Sequence, residues 1–366
     1  MTRRWSIRAA AVVAAALLTG VAGAATGTHR ATASTAGAAR PAMIVTPVPG
    51  SATAAANTTI TIALKKPVKQ VLGNSLPTIT PAVTGAWSQP GPDRLVFTPS
   101  GFGFGAGTTV SVTVDAAVSY RFQTAPASLL RLEQILAQLQ YLPLTFTPAA
   151  GAQEPTTLAA EVASMSQPLP GTFAWRWPSV PASLQAQWSA GSANVLVKGA
   201  LMSFDSVRGA YNGYQLDPES VTQLADVATW QALLQAAVAN QVDPNPYSYV
   251  LVTKTLPETL SLWENGSVVL TSPTNTGIAQ APTADGTFPI YVRYSVNHMS
   301  GVNPNGTPYD DLVYWINYFN GGDAVHGFQR SSYGSPQSLG CVELPVTTAH
   351  TAFNDLAIGD LVTVSG

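Results

Sequence analysis

Between residues 43 and 125 the chain alternates apolar and polar residues over short segments. Residues 59–62, 110–114 and 120–122 each place Ile, Val, Tyr or Phe at every second position, which is the period of a half-buried β-strand. Turn-forming residues, such as the Gln-Pro-Gly-Pro run at 89–92, separate these segments. Short strands at this spacing predict a small antiparallel β-sandwich over residues 43–125.

The apolar period then changes to that of a helix. After Ser128, leucines at 129, 132, 136 and 139 recur at steps of three and four residues, so we predict a helix over 128–139 with Ser128 as its N-cap. Further helices are predicted over 195–207 and 221–238, whereas the Pro-, Gly- and Ala-rich residues 143–177 show no clear period. These patterns predict a small α-helical middle domain over residues 126–243.

The last part of the chain returns to a β pattern after the proline-rich hinge Asp243-Pro244-Asn245-Pro246. Residues 249–252, 259–263 and 267–270 are strand-like, and Asn265-Gly266 predicts a tight hairpin turn because both residues tolerate positive φ. Only residues 347–354 have a helical period. The fold class is therefore predicted as multidomain, with an N-terminal β-sandwich, a small α-helical middle domain and a mostly-β C-terminal domain over 247–366.

Composition and charge narrow the possible partners. Of the 366 residues, 46% are hydrophobic and 10% are charged, and the formal net charge is −2. A chain this close to neutral has no electrostatic means of attracting nucleic acid or an anionic membrane surface. We therefore expect no nucleic acid partner.

The N-terminus predicts export. Arg3, Arg4 and Arg8 precede a short apolar run at 9–18, and Ala-Gly-Ala at 22–24 fits a signal-peptidase cleavage site. We predict a signal peptide at 1–24 and a flexible Ala/Thr/Ser-rich tether at 25–42, which places the protein in the cell envelope or outside the cell. An uncleaved N-terminal anchor is the alternative, and membrane contact is expected only through that segment.

The cysteine count points to chemistry. Exported proteins commonly pair their cysteines, but Cys341 is the single cysteine of this chain, so its thiol is reactive, intermolecular or simply buried. His326, fifteen residues upstream, could return beside it through a strand, a turn and a second strand. An imidazole has the right ordinary pKa to take the thiol proton. Gly340 permits a sharp turn, and the Gly340 and Cys341 N–H groups could face a developing oxyanion.

The segments around this pair resemble a known family. His326-Gly327 followed by Ser338-Leu339-Gly340-Cys341-Val342 resembles the signature of the L,D-transpeptidase catalytic domain (YkuD-like), His-Gly and then Ser-His-Gly-Cys. The resemblance extends to residues 315–325, 281–288, the hairpin within 250–270 and the closing Gly-Asp-Leu-Val-Thr-Val at 359–364. Residues 43–125 resemble the immunoglobulin-like spacers of bacterial wall proteins. Residues 126–243 weakly resemble peptidoglycan-binding helical modules, through Phe204, Gly213 and Trp230.

The resemblance implies a reaction and a set of roles. The family acylates its cysteine with a peptidoglycan stem tetrapeptide and transfers the acyl group to a neighbouring stem, which forms a 3→3 crosslink without a metal or cofactor. Carbapenem-type inhibitors are implied as possible ligands. The residues carried over are the nucleophile Cys341, the base His326, the imidazole-orienting Gly327, the turn residues Ser338 and Gly340, and Tyr309, Tyr318 and Leu339 on the substrate side.

Two residues depart from the family pattern. Leu339 stands where the family usually has His, and it cannot donate a hydrogen bond. Glu343 stands where the family usually has Arg or Asn, and its negative charge would disfavour a nearby thiolate. We expect slower or differently specific chemistry rather than none.

Other functions stay open at this point. Leu339, Glu343 and the two upstream modules would also fit a non-catalytic wall-binding protein with a degenerate transpeptidase domain. An L,D-carboxypeptidase-like hydrolase is possible because water can replace the acceptor amine. A cysteine peptidase of the usual wall type is disfavoured because its cysteine precedes its histidine. His298 and His350 have no second ligand at metal spacing, so we expect structural roles for both.

Overall fold

A computed structural model describes residues 43–116, 118–212 and 220–366. The predicted signal peptide (1–24), the predicted tether (25–42) and Gly213 lie outside the described residues.

The N-terminal region contains two sheets that share one core. Strand order is β1-β2-β5-β4 in one sheet and β3-β6-β7 in the other, with antiparallel pairing throughout. Alternate residues of β2 and β7 are buried, as the period-2 pattern predicts. Helix α1 was not predicted, because five residues are too few to show a helical period. The elements are β1 (Met43–Thr46), β2 (Ile60–Leu64), α1 (Val68–Leu72), β3 (Thr78–Thr80), β4 (Gly85–Gly91), β5 (Arg94–Pro99), β6 (Thr109–Asp115) and β7 (Val118–Gln123).

The middle region is helical but also contains a hairpin. The Ser128 side chain accepts from Arg131 N and begins the first helix, which confirms the predicted cap. The predicted helix at 221–238 is divided in two, because Asp226 caps a new helix by accepting from Thr229 N at 2.7 Å. The elements are α2 (Leu129–Gln138), β8 (Leu144–Pro148), α3 (Leu158–Ser164), β9 (Gly171–Trp175), α4 (Ala182–Gln185), α5 (Val195–Val207), α6 (Val221–Leu224) and α7 (Val227–Ala239).

Residues 143–177, for which no element was predicted, contain regular structure. Strands β8 and β9 pair antiparallel within this stretch, and α3 lies between them. Each strand has five residues, and the partners are far apart in sequence, so no tight-turn signal marks the pair. The middle region is therefore a mixed α/β region rather than a purely α-helical one.

The C-terminal region is built from two sheets and a helix. One sheet has the order β12-β11-β10-β18-β13, and the other has the order β14-β15-β16-β17. The Asn265-Gly266 turn joins β11 to β12 with positive φ at both residues, as predicted. The elements are β10 (Ser248–Thr253), β11 (Thr259–Glu264), β12 (Ser267–Pro273), β13 (Gly286–Pro289), β14 (Val292–Val302), β15 (Pro308–Asn320), β16 (Asp323–Gly327), β17 (Val342–Leu344), α8 (Val346–Asp355) and β18 (Leu361–Ser365).

One hydrophobic core continues from the middle region into the C-terminal region. Tyr249, Trp263 and Leu361 belong to the same buried cluster as the apolar faces of α2, α5 and α7. The Tyr249 hydroxyl also donates to Ser183 Oγ at 2.8 Å. The hinge predicted at 243–246 therefore does not separate two independent cores. None of the helices in the described ranges has the length and hydropathy that a bilayer crossing requires.

Two glycines allow the middle region and the C-terminal region to pack closely at this junction. Gly199 of α5 packs against Gly359, which precedes β18 and has φ +92°, and a Cβ on either glycine would collide with the backbone oxygen of the other. The helix therefore lies directly on the loop that leads into the central strand β18.

Gly199→Ala tests this contact. Alanine normally stabilises a helix interior by about 1 kcal/mol relative to glycine, but here the added methyl group has no room. We expect the substitution to lower the free energy of unfolding by about 2 kcal/mol, the usual range for overpacking. Thermal denaturation followed by circular dichroism measures the effect.

A matched control is Gly91→Ala in the N-terminal region, where a Cβ would meet only Asp93 Oδ1 at an ordinary 3.6 Å. A stability gain in Gly199→Ala would show that the junction is looser than described.

Candidate active site

The pairing of two short strands brings His326 and Cys341 into one cleft. β16 pairs parallel with β17, and His326 lies opposite Glu343 in this ladder. Residues opposite each other project to the same side of a sheet, so His326 and Glu343 share one face. Cys341 is the residue before β17, and all three side chains line a cleft of ≈ 970 Å³.

The connection between the two strands differs from the expected one. A strand, a turn and a returning strand would have made an antiparallel pair, whereas β16 and β17 are parallel. Parallel neighbours need a crossover rather than a tight turn, and residues 328–341 provide it. The crossover carries Ser338, Leu339 and Gly340 back to the start of β17.

The His326 imidazole is held in one tautomer. The side chain is 3% exposed, and its Nδ1 lies 3.3 Å from the Gly327 carbonyl oxygen. A carbonyl only accepts, so Nδ1 carries the proton of the neutral ring and Nε2 is left as the proton acceptor. Burial lowers the pKa of His326 below its ordinary value, although the Gly327 carbonyl opposes that shift. The imidazole is therefore a neutral base at pH 7.

The Cys341 thiol is partly buried in the cleft wall. Its Sγ lies 3.7 Å from the Gly322 carbonyl oxygen, which accepts from the thiol. Burial raises the pKa of Cys341 to about 12, the Ala324 N–H opposes the rise, and the carboxylates of Asp323 and Glu343 add to it. The thiol and the imidazole that line this cleft are thus both neutral at rest, and the thiol hydrogen bond goes to the Gly322 carbonyl.

Ser338 shapes the turn that presents the thiol. Its side chain is buried, and its Oγ donates to the Cys341 carbonyl oxygen at 2.6 Å and accepts from Gly340 N at 3.2 Å. Gly340 has φ +117°, and a Cβ there would collide with Asp323 Oδ1, so glycine is required on two counts. The Gly340 N–H already has an acceptor, and an oxyanion role for it would require giving up this bond.

Close packing at residue 327 favours glycine there. A Cβ there would lie 3.0 Å from Ala349 Cβ and 3.1 Å from Val346 Cα, so α8 lies directly against β16. Its carbonyl oxygen is the partner of His326 Nδ1 described above. Gly327 thereby fixes both the helix and the imidazole.

The predicted substrate-side residues line the same cleft. Tyr309, Tyr318 and Leu339 all lie in its wall, and Tyr318 is opposite Ala324 in the β15–β16 pairing. Burial raises the pKa of Tyr318 to about 12, and the charge of an ionised Cys341 adds to the shift. Burial and then Cys341 also raise the pKa of Tyr309. These tyrosines therefore present neutral hydroxyl groups near the sulfur.

Sequence reasoning missed the groups that hold the crossover in place. Thr283 Oγ1 accepts from Gly277 N at 2.8 Å and donates to the Cys341 carbonyl at 3.4 Å. The buried Glu258 carboxylate accepts from both Thr276 N and Thr276 Oγ1 at 2.7 Å. Such Thr and Glu residues carry no motif of their own, although Thr283 lies within the segment 281–288 that resembled the family.

Arg330 was also missed. Its Nε and Nη2 donate to the two carboxylate oxygens of Glu343 at 2.8 and 2.7 Å. The signal available in the sequence was a lone cation between His326 and Cys341, together with an acid two residues after the cysteine. Glu343 is therefore a paired carboxylate and not the isolated charge that the sequence indicated.

The other two histidines of the region make local contacts. His298 Nδ1 lies 2.9 Å from Asp310 Oδ1 in an exposed pair on the β14–β15 hairpin. The His350 ring packs on Trp315 with centroids 4.2 Å apart. No group of three or more His, Cys, Asp or Glu side chains that could hold a metal ion is found in the described ranges.

A comparison with protein families identifies the C-terminal region. Residues 247–364 match the YkuD family, the L,D-transpeptidase catalytic domain. This segment of the chain is therefore a YkuD-type L,D-transpeptidase catalytic domain. No curated protein matches the sequence.

Solved structures of the same class are similar at low identity. An L,D-transpeptidase from Mycobacterium smegmatis is 14% identical, with a TM-score of 0.31, over 89% of this chain and 100% of its own. LdtMt1 in complex with imipenem has the same identity and TM-score, over 89% and 99%. The catalytic domain of the E. faecium enzyme is 23% identical, with a TM-score of 0.30, over 32% and 96%. The assignment rests on the family match.

The protonation state of the site gives a pH prediction. Because the pKa of Cys341 is raised to about 12, the thiolate fraction is small at neutral pH and grows only in strong base. We expect alkylation by iodoacetamide to be slower than that of the unfolded chain at pH 8. Its rate should still rise above pH 10, as followed by mass spectrometry.

The chain in denaturant is the control, because its only cysteine then has an ordinary pKa of about 8.5. A rate that reaches a plateau below pH 8 would instead indicate a thiolate–imidazolium pair and would contradict the neutral resting state.

Proposed function

We propose that this protein is an L,D-transpeptidase that forms 3→3 peptidoglycan crosslinks through an acyl-enzyme on Cys341. One observation carries the proposal: the Cys341 thiol, at the end of the crossover, and the buried His326 imidazole of β16, with its Nε2 left as acceptor, line one cleft. The domain family of residues 247–364 supplies the reaction class.

The first half-reaction follows from the neutral pair. The Cys341 sulfur attacks the carbonyl carbon between the third stem residue and the terminal D-Ala, and its proton passes to His326 Nε2. The Gly327 carbonyl then faces an imidazolium, whose positive charge it stabilises. The imidazolium returns the proton to the departing D-Ala amine, the amide C–N bond breaks, and a thioester to Cys341 remains.

The second half-reaction runs in the opposite sense. The amine of a neighbouring stem attacks the thioester carbonyl and loses a proton to His326, and the sulfur leaves with a proton from the imidazolium. Water in place of that amine would give the hydrolytic product of an L,D-carboxypeptidase-like reaction. The neutral tyrosines 309 and 318 and the apolar Leu339 form the walls against which either acceptor would lie.

The regions outside the catalytic domain are proposed to place it in the wall. Residues 1–24 would direct export and 25–42 would act as a tether, so the protein would work in the cell envelope. The paired sheets of residues 43–125 would serve as a spacer. The middle region, which shares a core with the catalytic domain, would present the cleft to the glycan.

Covalent labelling tests the nucleophile. Carbapenems are strained amides, and the relative LdtMt1 is described in complex with imipenem, so we expect a stoichiometric imipenem adduct on Cys341. Intact-mass measurement and peptide mapping would locate it, and Cys341→Ala should show no adduct. Labelling of any other residue would contradict the assigned nucleophile.

Product analysis tests the reaction. Purified protein incubated with disaccharide-tetrapeptides should yield 3→3 crosslinked dimers, identified by fragmentation in mass spectrometry. Cys341→Ser should abolish them, and His326→Gln should lower the rate at least 100-fold, since a general base contributes 10²–10⁴-fold. The exposed Arg94→Gln is the control and should leave the rate unchanged. Dimers that persist in Cys341→Ser would overturn the proposal.

A second candidate is a wall-binding protein whose transpeptidase domain is inactive. Leu339 at the family's usual His position and the raised pKa of Cys341 favour it. Binding to purified sacculi without any imipenem adduct would support this second function over the first.

A further inference from the structure

Glu343 holds a carboxylate close to the reacting pair. It lies opposite His326 in the β16–β17 ladder and two residues after Cys341, and it lines the same cleft. Its side chain is 5% exposed. Its backbone is fixed by hydrogen bonds in both directions with Asn275, at 2.9 and 3.1 Å. These backbone bonds fix the side of the sheet from which the Glu343 side chain projects, which is the side of the cleft.

Further contacts hold the Arg330 guanidinium in the position that binds this carboxylate. Beyond its two bonds to Glu343, its Nη2 donates to the Gln337 carbonyl at 3.4 Å, and its guanidinium lies 4.7 Å from the Phe328 ring centroid. Phe328 in turn donates its N–H to the Leu344 carbonyl. Among the described residues that line the cleft, Arg330 is the one Lys or Arg.

The charge of this pair matters because the reaction creates an anion beside it. When the thiol proton moves to His326, negative charge forms on Sγ, and a bare carboxylate in the same cleft would oppose it. The other ionisable side chains of the cleft are Asp323 from β16, Tyr309, Asp311 and Tyr318 from β15, and His298 from β14. The carboxylates and tyrosines are negative or neutral, and His298 pairs with Asp310 rather than with Glu343.

We infer that Arg330 is a positioning residue for the Cys341–His326 pair, since it holds Glu343 in a neutral bidentate ion pair. The inference rests on the proposed function for its catalytic meaning. The effect of the ion pair on the ionisation of the Cys341 thiol can be measured without any peptidoglycan substrate.

A purely structural role is the rival explanation. The same ion pair ties the crossover 328–341 to β17, so its loss could disturb the site whatever its charge. The two explanations predict different signs for the effects of the two single substitutions. Electrostatics predicts opposite effects of removing the cation and removing the anion, whereas a structural tie predicts the same loss from either change.

The experiment uses the full chain with Arg330→Gln, Glu343→Gln and the double variant. The readouts are the pH profile of Cys341 alkylation by iodoacetamide and the rate of imipenem acylation. We expect R330Q to move the profile to higher pH by about one unit and to slow acylation about tenfold. E343Q should move the profile to lower pH, and the double variant should return to within about threefold of the parent rate.

Arg121→Gln, on an exposed position of β7, is the matched control and should change neither readout. A shift in the same direction in both single variants, no shift in R330Q, or no recovery in the double variant would overturn the inference. If circular dichroism shows that R330Q does not fold, the test rests on E343Q. A shift of its alkylation profile to lower pH supports the inference, and no shift or a shift to higher pH overturns it.

Failure of the proposed function gives a different result. The parent protein would form no imipenem adduct, while R330Q and E343Q would still shift the alkylation profile in opposite directions. That result would overturn the transpeptidase proposal and leave the charge role of Arg330 supported.

Discussion

The parallel pairing of β16 with β17 is the constraint on which the site depends. It brings the imidazole and the thiol into one cleft although they lie fifteen positions apart in sequence. Such a pairing requires a crossover, and the loop residues of this crossover have no strand partner whose backbone hydrogen bonds could fix them. Side-chain hydrogen bonds of Ser338, Thr283 and Asn275 fix the crossover instead. This explains why many buried polar groups surround a site with only two reacting groups.

Burial sets the electrostatic character of the pair. It favours the uncharged form of both the thiol and the imidazole, so neither group is charged in the resting protein. The Gly327 carbonyl contacts the imidazole Nδ1, the Ala324 N–H lowers the pKa of the thiol, and the neighbouring Glu343 carboxylate is paired with Arg330.

Local patterns predicted much of the fold. The helices at 129–138 and 195–207, the Asn265-Gly266 hairpin and the last helix each carry a cap, a period or a turn that acts within a few residues. The β8–β9 pair, the break at Asp226 and helix α1 were missed, because pairing between distant strands and very short elements leave no such local signal. In the site, the motif predicted Cys341 and His326, and the structure brings both into one cleft. Arg330 could not be placed, because its partner is fixed by the crossover and not by spacing.

The contact between Gly199 and Gly359 has a consequence for how the C-terminal region can be separated from the rest. With α5 packed on the approach to β18, and β18 lying between β10 and β13, the helical region supports the middle of this sheet. A fragment that begins at residue 247 would expose Tyr249, Trp263 and Leu361 to water. Such a fragment would therefore lose part of the core that its sheet shares with the helices.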